Sequence, residues 1–166
     1  MNKMKEENSQ NQQIRSDLKS SVIHFLSYKP RTSFEIRSFA QRYLKKINFP
    51  VEEQDSLIED VLFFLREFRY IDDSDYAQSY ILEQQQRPSP RGPKYVYQFL
   101  SRKGIPQDII RASLETHFPE EKERLCIEKI LAKRKGSSDK IIQYLLRKGF
   151  TFGLVYALVD TTGENH

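Results

Sequence analysis

The chain writes one seven-residue phrase three times, and that repetition limits what it can fold into. The plainest copies are Tyr144-Leu145-Leu146-Arg147-Lys148-Gly149-Phe150 and, forty-five residues earlier, Phe99-Leu100-Ser101-Arg102-Lys103-Gly104-Ile105. A looser copy, Tyr43-Leu44-Lys45-Lys46-Ile47-Asn48-Phe49, has asparagine where the others have glycine. A helix that stops in a left-handed cap needs a residue tolerating positive φ, and glycine does so best with asparagine next. Each phrase therefore predicts a helix end. The aromatic and leucine are the last core contacts, the basic pair suits the negative end of the helix dipole, and the apolar residue after the cap packs back. Ile109, Ile110 and Ala112 recur at the same offset as Leu154, Val155 and Ala157, so the repeating unit is a helix pair. One such unit cannot bury its apolar face alone and must stack on a neighbour.

Helical spacing and proline placement extend this to nine helices in three groups of three. Leu18, Val22, Phe25 and Leu26 share one helical face, as do Ile36, Ala40, Tyr43, Leu44 and Ile47, and then Leu57, Val61, Leu65 and Phe68. Thr32 or Ser33 caps the second helix, and Asp72 opens the fourth with Asp75 in its first turn. All seven prolines fall at or between helix ends. The clearest break is Arg87-Pro88-Ser89-Pro90-Arg91-Gly92-Pro93, a connector whose arginines suit a contact loop. The expected organisation is all-α: a disordered lead over 1–15, three-helix repeats over 16–70, 71–118 and 119–160, and a tail over 161–166.

Charge is unevenly spread. Residues 1–86 carry net −2, residues 87–150 net +8 and the remainder −2, together the formal +4. A basic region of this kind suits a polyanion or an acidic protein groove. The longest weakly polar stretch, 149–159, is far shorter than a membrane span, and the polar N-terminus lacks the apolar middle of a signal peptide, so a cytoplasmic protein is expected, with no membrane association. The single Cys126 fits a reducing compartment. His24 and His117 lack metal-ligand spacing, Arg91-Gly92-Pro93 lacks the residues of a phosphate loop, and no carboxylate pair is singled out. No metal, no cofactor and no enzymatic activity are expected.

Taken in order, Arg31-Thr32-Ser33-Phe34-Glu35-Ile36, Tyr70-Ile71-Asp72-Asp73, Lys103-Gly104-Ile105 and Arg147-Lys148-Gly149-Phe150 resemble the landmarks of the RecX family of bacterial recombination regulators, over roughly Leu18 to Val159. Lys29 and Asn48 depart from its pattern, which has arginine and glycine there. The resemblance implies an elongated, curved array of three tandem three-helix repeats, not an enzyme, lying in the groove of the RecA nucleoprotein filament. It implies modulation, foremost inhibition, of recombinase and ATPase activity in DNA repair and the SOS response, by a monomer touching single- or double-stranded DNA weakly. The expected binding residues are Arg91, Lys94, Arg102, Lys103, Lys133, Arg134, Arg147 and Lys148. The plainer role for the Arg102–Lys103 and Arg147–Lys148 pairs is to complement helix dipoles. The rival function is a helical-repeat DNA-binding module that acts without RecA.

Overall fold

The structure, a computed structural model, describes the backbone of residues 2–163 and the side chains of residues 9–160. Among the described residues the chain is all helical and carries no strand: α1 (Asn2–Ser27), α2 (Ser33–Lys46), α3 (Val51–Glu67), α4 (Asp73–Gln86), α5 (Pro93–Arg102), α6 (Gln107–His117), α7 (Glu120–Leu131), α8 (Ser138–Arg147) and α9 (Phe152–Gly163). The repeated phrases close α2, α5 and α8. In each, the residue after the cap donates its N–H across the last turn: Phe49 to Leu44 O at 3.0 Å, Ile105 to Leu100 O at 3.2 Å, Phe150 to Leu145 O at 3.3 Å. The capping residues Asn48, Gly104 and Gly149 sit at φ 52°, 74° and 87°, in the left-handed region that the phrase requires. Leu44, Leu100 and Leu145 are fully buried. Arg69, at φ 54°, closes α3 the same way, a stop that no glycine or asparagine announces.

The chain divides into two compact units, Met1–Asp73 and Ser74–His166. The first holds α1 to α3 around Leu18, Val22, Ile36, Ala40, Leu44, Leu62 and Leu65. Thr32 caps α2 in a full capping box with Glu35, and the Ser33 N–H donates to Asp73 Oδ1 at 2.8 Å. Asp73 of the acid-rich stretch thus serves the start of α2.

The expected disordered lead is helical instead, because α1 begins at Asn2. Lys, Glu and Gln are good helix formers, and three contacts fix the segment's end: Gln13 Nε2 donates to Asp17 at 2.9 Å, Ile14 packs on the core, and Arg15 pairs with Asp60 at 2.5 Å. Of the expected tail, residues 161–163 complete α9 and 164–166 lie outside the described residues.

The second unit packs α5 on α6, α8 on α9 and α7 on α9 around Val96, Leu100, Ile110, Ile127, Leu145 and Val155. Leu125 is exposed at 57%, because Cys126, Ile127 and Ile130 take the inward face of α7. Buried Glu123 accepts from the Thr151 N–H at 2.6 Å and its hydroxyl at 3.0 Å, placing a carboxylate at the start of α9.

One junction organises this unit. The Gly92 N–H donates to Lys148 O at 2.9 Å and the Lys94 N–H to Gly149 O at 3.0 Å, so the orphan donors opening α5 meet the orphan acceptors closing α8. Their dipoles run head to tail. The backbones touch: a Cβ on Gly92 would lie 2.4 Å from Gly149 C, and one on Gly149 2.5 Å from Tyr95 N.

Candidate functional site

The junction of α5 and α8 also gathers cations and hydroxyl groups. Gly92 anchors the connector 87–92 against the end of α8, and buried Pro90 fixes its middle. Ser89 is held over the last turn of α8. Lys148 Nζ donates to Ser89 Oγ at 2.6 Å and to Ser89 O at 3.2 Å, and the phenol of Tyr144 lies 3.1 Å from the same hydroxyl. The Arg134 guanidinium covers the Tyr144 ring at 3.6 Å, with Lys148 Nζ 5.4 Å from its centroid. Arg91 lies over Tyr95 at 4.5 Å.

These contacts perturb Tyr144. The hydrogen bond to Ser89 holds its phenol below the ordinary value, and Lys148 and Arg134 push the same way by favouring the phenolate. An ammonium and two hydroxyls that meet at Ser89, with a guanidinium over the adjoining tyrosine ring, make a cradle for an oxyanion such as a phosphate group. A base could stack poorly here, since cations already flank the tyrosine ring.

The structure sorts the expected binding residues. Arg91, Lys94, Arg134, Arg147 and Lys148 belong to the junction, with Lys94 and Arg147 exposed and Lys133 exposed next to Arg134. Arg102 and Lys103 sit at the opposite end of α5, about 13 Å along its axis from Lys94. Arg102 Nε donates to Gln98 O of its own helix at 3.3 Å, and Lys103 Nζ lies 5.8 Å from the Phe99 ring. The helix-end role therefore fits Arg102. At α8 the carbonyls of Lys148 and Gly149 are already taken by α5, and Arg147 projects from a helix end that needs less help from charge.

Ser89 and Tyr144 were not legible as site residues: Tyr144 reads as a core contact of the phrase, and Ser89 as one polar residue in a proline-rich connector. The only hint in the sequence is the pair of arginines flanking that connector.

His24 and Cys126 have structural surroundings. His24 Nε2 is 3.1 Å from the Tyr28 hydroxyl, and burial pushes the Cys126 thiol up, which keeps it protonated. Among the described residues no group of three His, Cys, Asp or Glu side chains could hold a metal, and no helix is long and apolar enough to cross a membrane.

No protein-family model matches the chain. The regulatory protein RecX of Bacillus licheniformis is 31% identical over 153 residues, covering 87% of this chain and 55% of that protein. The regulatory protein RecX of a Streptococcus pneumoniae strain is 32% identical over 141 residues, covering 81% of this chain and 51% of that protein. The crystal structure of RecX from Lactobacillus salivarius superposes with TM-score 0.71 at 24% identity, over 90% of this chain and 96% of that one. A second crystal structure, of a regulatory protein RecX, gives TM-score 0.64 at 27% identity over 89% and 72%. These similarities support the RecX family for this chain. The chain spans about half the length of the two RecX relatives compared by sequence. Its all-helical fold is that of the two RecX structures, and the RecX relatives are named as regulatory proteins, not as enzymes.

Proposed function

We propose that this chain binds the RecA nucleoprotein filament and modulates it, chiefly by inhibiting recombinase and ATPase activity, in DNA repair and the SOS response. In this reading it is a cytoplasmic monomer without catalysis of its own, built as three-helix repeats over 16–70, 71–118 and 119–160. The observation that carries the reading is the cradle of Arg134, Tyr144, Ser89 and Lys148, set in the region of net +8. Filament-bound DNA presents a regular row of phosphates, and a cradle plus exposed Lys94 and Arg147 supplies several weak ionic contacts to it.

The test is a titration of purified chain into RecA hydrolysing ATP on single-stranded DNA. Hydrolysis should fall as chain is added, and the effect should weaken as salt rises. Tight binding to naked DNA with hydrolysis unchanged would instead establish the DNA module that acts without RecA.

A further inference from the structure

The hydroxyl at the centre of the cradle belongs to the protein itself. Ser89 is exposed, in a connector where proline stands on either side of it and arginine two positions before and two after. Prolines keep such a segment out of helix, and residues 87–89 bend at the surface, where an exposed serine is open to a kinase cleft. Its Oγ already has Lys148 Nζ at 2.6 Å and the Tyr144 phenol at 3.1 Å, and Arg134 lies across that tyrosine. Donors placed around a serine hydroxyl in this way suit the group that replaces its proton on phosphorylation.

We propose that Ser89 is a regulatory phosphoacceptor, whose phosphate is captured by Lys148 and Arg134 so that the basic junction is switched off. A serine/threonine kinase supplies the γ-phosphoryl of ATP. The Ser89 Oγ–P bond forms, the bond from Pγ to the ADP oxygen breaks, ADP leaves, and the hydroxyl proton passes to the kinase base. The product carries a charge of about −1.5 to −2 at neutral pH, with three acceptor oxygens. It ion-pairs with Lys148 and Arg134, fills the cradle that would take a phosphate of DNA, and opposes the field of Arg91, Lys94 and Arg147. Tyr144 positions the serine and is not the acceptor, since its ring is pinned beneath Arg134.

This proposal rests on the reading of the junction as a polyanion-binding surface, and its experiment separates the two. Phosphoserine is installed at position 89 of the full chain by genetic-code expansion and titrated by phosphorus NMR. Captured phosphate should titrate about one unit below the ordinary value near 6, and Lys148→Ala or Arg134→Ala should move it back up. An ordinary value, or one insensitive to both substitutions, overturns the capture. The same protein should bind oligo(dT) about tenfold more weakly than the unmodified chain at low salt. Equal affinity overturns the switch. If the unmodified chain binds neither oligo(dT) nor the RecA filament, the proposed function fails, while the phosphorus titration still decides capture. Finally, a purified kinase that reads arginine at the −2 position should label Ser89 in the native chain and leave Ser89→Ala unlabelled there. Label confined to other serines overturns the acceptor assignment.

Discussion

The first and third copies of the phrase end their helices in the same way yet tolerate different residues. Asn48 and Gly149 both take the left-handed conformation and both are followed by a buried phenylalanine. At Asn48 the only demand is the backbone angle, which asparagine meets at modest cost. At Gly149 a second demand is added: α5 passes so close that a Cβ would lie 2.5 Å from Tyr95 N and 2.8 Å from Tyr95 Cβ. A glycine that stops a helix and a glycine that lets another helix touch it look identical in a sequence. Only the second ties together two helices and the connector on which the candidate site is built.

Exchanging the two residues should therefore have very unequal costs. Gly149→Asn meets both the clash and the angle and should cost about 3 to 5 kcal/mol in thermal or urea unfolding. Gly92→Ala, whose Cβ would lie 2.4 Å from Gly149 C at an unstrained φ of −79°, should cost about 2 to 3 kcal/mol. Asn48→Gly should change stability by about 0.5 kcal/mol or less, in either direction. Similar losses for Gly149→Asn and Asn48→Gly would mean that α5 can move away from α8 freely.

Glu123 sharpens the picture within the second unit. Burial raises its carboxyl above the ordinary range, with the Thr151 bonds offsetting part of the shift. A raised folded value means that the folded state holds the proton longer, so this group's contribution declines as pH rises from the ordinary carboxylate value through the raised one. Denaturation measured between about pH 4 and 7 should show that decline, and Glu123→Gln should flatten it. Removing the acceptor altogether in Glu123→Ala should cost about 1 to 3 kcal/mol at any pH in that window.

The smallest effect belongs to the cradle. Ser89→Ala should leave stability nearly unchanged and return the Tyr144 phenol toward its ordinary value, which ultraviolet titration against Tyr144→Phe would read. No change would mean that Ser89 does not hold the tyrosine.

Much of the architecture was legible because its signals are local. A left-handed cap has to be written at one position, apolar spacing over a few turns, and prolines at ends; hence the helix stops at Asn48, Gly104 and Gly149 and the buried leucines before them. What was missed depends on distant partners. The first residues look too polar to order, but Ile14 and Arg15 find the core and Asp60 far along the chain. Glu123 looks like one of many surface glutamates until Thr151 is placed beside it. The site behaved likewise: the basic residues were visible by composition, but not that α5 satisfies the end of α8, nor that Ser89 and Tyr144 complete a cradle with Lys148.

If the α5–α8 junction, and not the far end of α5, faces the filament, charge reversals at the two places should have unequal effects. Titration of RecA-driven ATP hydrolysis on single-stranded DNA with two paired charge reversals tests it. Arg134→Glu with Arg147→Glu should raise the amount of chain needed for half-maximal inhibition about tenfold or more, and Arg102→Glu with Lys103→Glu less than about threefold, with helicity intact in both. Equal losses, or a greater loss from the Arg102 and Lys103 pair, would mean that the filament does not meet the α5–α8 junction.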